Sequence, residues 1–461
     1  MERMDIVSRL ARVIGSENVS YCDSELQSYG VDRTTIWEGN PKAVVFPRSV
    51  KQLQDIILFA NKYSLKVVPS GGRTGLCGGA VANNSELVVS MDKMNTIKEI
   101  NLDDRSITAE AGVTTKQIQV AAVENHLFYP VDFASSGSSQ IGGNIATNAG
   151  GINVIRYGMT RNWILGLRVV TGSGDILNLN KSLVKNNTGY DFRHLFIGSE
   201  GTLGIICEAT LQLTEPPKPS TVCLFGVEKF EYLIEVLKIC KSMLQVNAFE
   251  FFCNNALSRV LTAREHLRPF NTDSPFYALV EFENIGKETE TVLEVYSKCV
   301  DKELITDSVI SQSNAQARDL WKLREDISET IWHFQPYKND ISVRISKMAN
   351  FLGDVNQLVQ KNYPDFEIIW FGHIGDGNIH LNILKPENFS TLKFKSFCDE
   401  VSMSLGELIS NYKGSISAEH GVGLLKKDSL KFSRSEDEIK LMKSIKNVFD
   451  PNAILNPGKL I

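Results

Sequence analysis

No Cys-x-x-Cys pair occurs anywhere in this 461-residue chain. Its eight cysteines (Cys22, Cys77, Cys207, Cys223, Cys240, Cys253, Cys299 and Cys398) are scattered singly, which excludes a zinc ribbon and an iron–sulfur cluster. Eight are also too few for a disulfide scaffold at this length. There is no apolar run of about 18 residues, so no membrane-spanning helix is written here. Blocks of basic residues are missing as well. With 49 basic against 54 acidic residues the net charge is −5, and a dedicated nucleic-acid binder, which needs clustered cations, is excluded. Internal repeats and low-complexity tracts are absent. The opening Met1-Glu2-Arg3-Met4-Asp5 places acidic residues where targeting peptides avoid them. A cytoplasmic protein without a transmembrane segment is expected, its contact with any membrane peripheral.

What the chain has is ordinary globular composition and an uneven distribution of glycine. Hydrophobic residues make up 43% and charged residues 22%, enough apolar material for more than one core. The first half alternates short strands and helices. Strands are predicted at Ala43–Phe46, Lys66–Pro69, Glu86–Met91, Ser106–Ala111, Ile164–Thr171 and Ile205–Leu213, and helices at Val50–Tyr63 and Thr114–His126. Pro216-Pro217-Lys218-Pro219 then imposes a stiff extended connector. Beyond it, strands are predicted at Val222–Val227, Ala248–Phe252, Phe276–Glu283, Leu304–Ile310, Phe366–Phe371 and Ile379–Leu384. The helices are Phe230–Met243, Lys287–Val300, Gln316–Trp332 and Met348–Tyr363. Gly375-Asp376-Gly377-Asn378 marks a hairpin between the last two strands. The fold class is α+β, with an antiparallel sheet in the second domain. The expected division is residues 1–217, 218–445 and a closing segment 446–461.

Three glycine clusters lie between Gly71 and Gly204. Pro69-Ser70-Gly71-Gly72-Arg73-Thr74-Gly75 through Gly78-Gly79 follows a predicted strand, and such a loop turns sharply while presenting consecutive N–H groups to one oxyanion, most naturally a phosphate. The second, from Ser136-Gly137-Ser138 through Gly142-Gly143-Asn144 to Thr147-Asn148 and Gly150, mixes small residues with hydroxyls and amides and admits a flat ring close to backbone. The third, Gly198-Ser199-Glu200-Gly201-Thr202-Leu203-Gly204, leads into a strand. None has the Gly-x-Gly-x-x-Gly or Gly-x-x-x-x-Gly-Lys-Ser/Thr spacing, which disfavours a nicotinamide Rossmann site and a P-loop.

These stretches resemble the flavin-binding domain of the vanillyl-alcohol oxidase family, the p-cresol methylhydroxylase type, and the rest of the chain resembles its D-2-hydroxyacid dehydrogenase branch. The likeness runs from Pro41 to the closing Leu455-Asn456-Pro457-Gly458-Lys459. It implies an FAD-binding domain followed by an α+β substrate domain, with the C-terminal segment returning to the flavin. It also implies that the first loop cradles the FAD pyrophosphate, and that the second lines the isoalloxazine and phosphates. Gly201, Gly204 and Ile205 then sit near the adenine side, Glu200 and Ile206 beside them are also implied to bind the cofactor, and Asn456 joins from the C-terminal segment. Members that tether FAD usually use a histidine in the first loop; Arg73 stands there, so non-covalent FAD is expected.

Three of the seven histidines fall in two further glycine-rich stretches, His373-Ile374-Gly375-Asp376-Gly377-Asn378-Ile379-His380 and Glu419-His420-Gly421. A turn at Gly375–Asn378 lets His373 and His380 converge on one ion, and Glu419 offers a hard oxygen ligand for a divalent metal. His380 and Asn382, two apart on a strand, share a face. The family resemblance implies more: His373, His380 and Glu419 as ligands of a divalent metal, with zinc expected, and His420 as the base. Arg324, Ser328, Lys338, Asn382 and His420 match substrate-contacting positions of D-2-hydroxyglutarate dehydrogenases, in which the Arg and Lys hold carboxylates. Ser328 replaces the common Thr. Arg344 stands where proline is usual and either adds a cation or faces solvent.

The expected activity is oxidation of a D-2-hydroxy acid, first D-2-hydroxyglutarate, with D-lactate or glycolate as the alternative. Two other readings stay open, an oxygen-using FAD oxidase and a non-catalytic subunit of a larger complex. Without iron–sulfur ligands, electrons must leave to a separate acceptor such as an electron-transfer flavoprotein or a quinone. A homodimer is compatible with all of these.

Overall fold

The computed structural model describes residues 3–34, 36–284 and 288–461, and these form two compact units. The first comprises residues up to Gly151, Tyr157–Pro216 and Glu419–Ile461; the second comprises Ile152–Arg156 and Pro217–Ala418. The chain thus changes unit at the proline cluster. It changes again at Ala418/Glu419, ahead of the expected 445, because residues after Glu419 hydrogen-bond to Cys77 and Glu200 of the first unit.

In the first unit, strands Ala43–Val45, Leu87–Ser90 and Val67–Ser70 pair in parallel, with Val19–Ser20 added antiparallel at the edge. Their residues are apolar on both sides, as parallel strands covered on two faces require. Val45, Val67, Leu87 and Val89 enter one core with helices Arg3–Ile14 and Val50–Lys62, while Val44, Val68 and Val88 enter another. Ser49 caps the second helix by accepting from the Gln52 N–H at 3.2 Å. A separate five-stranded antiparallel sheet runs in the order Ile97–Asn101, Ser106–Glu110, Gly204–Gln212, Ile164–Thr171, Ile176–Leu179. Within its long central strand the side chains of Ile205 and Ile206 enter different cores.

The second unit is built on a seven-stranded, wholly antiparallel sheet. Its order is Asp307–Ile310, Ser220–Val227, Phe276–Glu283, Val246–Cys253, Ile368–Gly372, Asn378–Ile383, Tyr337–Ser342. The expected hairpin is present: Ile369 opposes Asn382 and Phe371 opposes His380. Helix Phe230–Met243 occupies its expected span. Lys287, the expected start of the next helix, lies outside the described residues, and the helix is described over Glu288–Asp301. One expectation is revised: the single helix expected over Gln316–Trp332 is split at Asp326 into Asn314–Glu325 and Ile327–Thr330. Lys338-Asn339-Asp340 lies inside strand Tyr337–Ser342. Among the described residues no helix is long and apolar enough to cross a membrane.

Candidate active site

Within the first unit, the glycine loops close on one another at backbone distance. A Cβ on Gly72 would lie 2.0 Å from the Ser138 carbonyl oxygen, so the first and second loops meet where only glycine fits. Gly71 lies against Gln140 and Gly143, and Gly201 packs on Pro69. Asn456 closes the group, donating from Nδ2 to the Glu200 carbonyl at 2.6 Å and to the Gly79 carbonyl at 3.2 Å. The Asn456 backbone N–H donates to the Val67 carbonyl at 2.8 Å, which ties the C-terminal segment to the strand feeding the first loop.

The second cluster is partly a helix, Ile141–Thr147. Gly142 is needed there because a Cβ would lie 2.6 Å from the Ala111 Cβ, and Asn144 donates to Thr115 Oγ1 at 2.6 Å. Asn148 holds a left-handed conformation as the helix ends.

The cradle fits a large polar group. Ser70 Oγ and Gln140 Oε1 are buried without a hydrogen-bond partner, and Cβ positions on Gly79, Gly137 and Gly143 meet no atom within 4 Å. Unpartnered buried acceptors and donors are costly unless a ligand meets them. Arg73, also left-handed, donates to the Gly71 carbonyl at 3.0 Å, and its guanidinium lies over the Tyr29 ring at 4.1 Å.

In the second unit the ionisable residues share one face of the sheet. Antiparallel partners point to the same side, and Lys338 opposes Asn382 while Asp340 opposes His380. Phe371 opposes His380 on the other flank, and Phe252 opposes Phe371. Glu250, two residues before Phe252, therefore belongs to this face too. The His373 and His380 rings are 5.5 Å apart and nearly perpendicular. His373 donates from Nδ1 to Glu250 Oε1 at 2.7 Å, which leaves Nε2 as the ring nitrogen open to a ligand. His380 Nδ1 lies 3.7 Å from Asp340 Oδ1. Asp340 is itself held by Asn378 Nδ2 at 2.8 Å.

Arg324 reaches the same face from helix Asn314–Glu325. It pairs with Glu250 Oε2 at 2.8 Å and stacks over Phe371 at 4.6 Å. Burial alone would raise the Glu250 carboxyl, but His373 and Arg324 together hold it below its ordinary value. The Lys338 ammonium is half-buried, 5.0 Å from the Trp332 ring centroid. Ser328, beyond the break at Asp326, is exposed, and so is Arg344. Of the expected substrate and metal residues, the second unit gathers Arg324, Lys338, His373, His380 and Asn382.

Glu419 and His420 open the last stretch of the first unit. Glu419 Oε1 accepts from the Gly151 N–H at 3.0 Å. The residues just after them are clamped by Glu200, whose carboxylate accepts from the N–H groups of Val422 at 2.8 Å and Gly423 at 2.7 Å. Burial nonetheless raises the Glu200 carboxyl above its ordinary value. Glu200 thus spends its side chain on the loop carrying His420.

Sequence reasoning missed Glu250 and Asp340. A signal existed for the first: Glu250 is the only charged residue in a strand buried over all eight positions, and such a group must be paired.

Comparison with known proteins agrees with this architecture. The solved structure of p-cresol methylhydroxylase with substrate bound superposes with a TM-score of 0.74 over 99% of this chain and 96% of that one, at 17% identity. The fold is therefore that of the p-cresol methylhydroxylase-type flavoproteins. Residues 41–180 match the FAD binding domain, and residues 216–460 match the C-terminal domain of FAD linked oxidases. The chain belongs to the FAD-linked oxidase family and is an FAD-dependent dehydrogenase. It is 52% identical to a D-2-hydroxyglutarate dehydrogenase of Stutzerimonas stutzeri, over 99% of this chain and 98% of the relative. A protein of the same name from Xanthomonas citri pv. viticola is 51% identical over 95% and 93%.

Proposed function

We propose that this protein oxidises D-2-hydroxyglutarate to 2-oxoglutarate. The observation that carries the reading is the single sheet face on which Lys338, joined by Arg324 from its helix, lies with the nearly perpendicular rings of His373 and His380. A diacid needs two carboxylate anchors, and a 2-hydroxy acid needs its hydroxyl acidified and deprotonated. The 52% identity to a named D-2-hydroxyglutarate dehydrogenase supports the same substrate.

FAD would be held non-covalently by the first and second glycine loops and Asn456 and would supply the acceptor for the hydride leaving Cα. His373, His380 and Glu419 would hold a divalent metal, zinc by their donor chemistry, which would lower the pKa of the substrate hydroxyl. Glu419 directly follows Ala418, the last residue of the unit that carries both histidines. Arg324 binds the α-carboxylate with its remaining N–H groups, in the forked geometry guanidinium favours. Lys338 holds the distal carboxylate, Asn382 and Ser328 contribute polar contacts, and His420 takes the hydroxyl proton. Electrons leave to a separate acceptor, an electron-transfer flavoprotein or a quinone, and the enzyme works in the cytoplasm.

The test is an anaerobic single-turnover panel of D-2-hydroxyglutarate, D-malate, D-lactate and glycolate, followed by bleaching of the flavin absorbance. D-2-hydroxyglutarate should reduce the flavin fastest. If D-lactate outruns both diacids, the assignment of Lys338 and of the substrate is wrong.

A further inference from the structure

Glu250 has no place in the reaction as written, yet it is among the most buried charges in the molecule, with 1% of its side chain exposed. It sits in the centre of strand Val246–Cys253 among Phe249, Phe251 and Phe252, all fully buried. A lone carboxylate in such surroundings costs several kcal/mol, and it persists only if its oxygens are matched. They are engaged by two residues of different expected roles. Oε1 accepts a hydrogen bond from His373 Nδ1 at 2.7 Å, and Oε2, buried and outside hydrogen-bond geometry, is held by an ion pair with the Arg324 Nη2 at 2.8 Å.

We propose that Glu250 is a positioning residue that sets the substrate-carboxylate anchor Arg324 and the metal histidine His373 together, so that neither orientation survives its loss. The inference rests on the reading of Arg324 and His373 given above.

The geometry requires the coupling. An arginine side chain has several rotatable bonds, and Arg324 is fixed at one end by Glu250 and on its face by the Phe371 ring. That leaves its Nε buried without a hydrogen-bond partner. A buried, unpartnered guanidinium N–H is an available half of a fork for an incoming carboxylate. Glu250 therefore neutralises the arginine and leaves its Nε N–H without a partner in the protein. On its other oxygen it holds the Nδ1 proton of His373, which turns Nε2 outward as a ligand. Phe371 extends the arrangement, since its ring also lies 5.1 Å from that of His380.

The experiment uses the FAD-loaded full-length protein and three variants, Glu250→Gln, Arg324→Met and the double replacement Glu250→Met with Arg324→Met. Two affinities are read without turnover. One is for zinc, by competition with a chromophoric chelator; the other is for 2-oxoglutarate, by perturbation of the oxidised flavin spectrum. Glu250→Gln should weaken zinc by about 10- to 100-fold, the usual effect of removing a histidine's supporting carboxylate. It should weaken 2-oxoglutarate by about tenfold or more, through misorientation of Arg324. Arg324→Met should weaken 2-oxoglutarate and leave zinc near wild type.

The double variant removes the buried pair as a unit, which typically preserves folding. It should show the zinc defect of Glu250→Gln, so the proposal stays testable if the single variant loses FAD. Wild-type affinity for either probe in the Glu250 variants overturns the proposal, as does loss of only one. Wild-type protein that binds no zinc or is not reduced by D-2-hydroxyglutarate refutes the functional reading instead, so the two failures are distinguishable.

Discussion

Replacing Lys459 by Met tests how the C-terminal segment holds the flavin loop. The Lys459 ammonium is buried, 2% exposed, and donates to the Gly79 carbonyl at 3.0 Å, the Val81 carbonyl at 2.6 Å and Asn456 Oδ1 at 2.8 Å. Burial pushes its pKa down from 10.5 to about 7, against the opposing pull of Glu86, Asp32 and Glu200. The unfolded chain therefore binds more protons than the folded one between these two values, and stability rises with pH across that window. One such group makes the wild type gain about 2 kcal/mol relative to Lys459→Met on going from about pH 7 to about pH 9. Other titrations are common to both proteins and cancel in the difference. The assay is urea unfolding followed by circular dichroism and by flavin release, for both proteins at several pH values. A stability difference that stays flat over this range would refute the reasoning. It would mean that the three carbonyl oxygens hold the ammonium near its ordinary pKa.

Three shorter predictions concern the sites themselves. Gly72→Ala forces a Cβ to within 2.0 Å of the Ser138 carbonyl, and the purified variant should carry little FAD by its absorbance ratio. Lys338→Met should raise KM for D-2-hydroxyglutarate about tenfold, the loss of one charge-assisted contact, while KM for D-lactate stays within about twofold. His420→Ala should retain FAD yet lose substrate-driven flavin reduction by about 100-fold or more in stopped flow, as expected for loss of a general base; rapid bleaching in that variant would remove His420 from the role of base.

Much of the fold was legible because its signals are local. Strands Ile164–Thr171 and Phe276–Glu283 and helix Phe230–Met243 have their boundaries in the apolar pattern itself. The Gly375–Asn378 turn announced a hairpin that also places His373 and His380 side by side. What stayed hidden depends on partners distant in sequence. Tyr337–Ser342 reads as polar, and it becomes a strand only because Asn378–Ile383 offers it an edge. Helix Ile141–Thr147 contains Gly142 and Gly143, poor helix formers, and close packing on Ala111 overrides that propensity. Gln316–Trp332 reads as one helix because no proline or glycine marks the break at Asp326. Glu250 and Asp340 carry no motif at all, and each acquires meaning from the histidine it faces.

Those two carboxylates and Glu200 show why motif reading stops short of a site. His373, His380 and Arg324 are recognisable by residue type, yet their useful atoms are chosen by what holds the rest of each side chain. Glu250 selects Nε2 of His373 by taking the proton on Nδ1, and holds Arg324 by one terminal nitrogen while its Nε stays unpartnered. Glu200 does the equivalent for backbone in its own unit: by accepting from Val422 and Gly423 it fixes the loop immediately after His420. A buried carboxylate is suited to this task because it accepts through two oxygens at once and is too costly to leave unmatched. The donors it captures are therefore held in one arrangement before any ligand arrives, and binding energy need not be spent on ordering them.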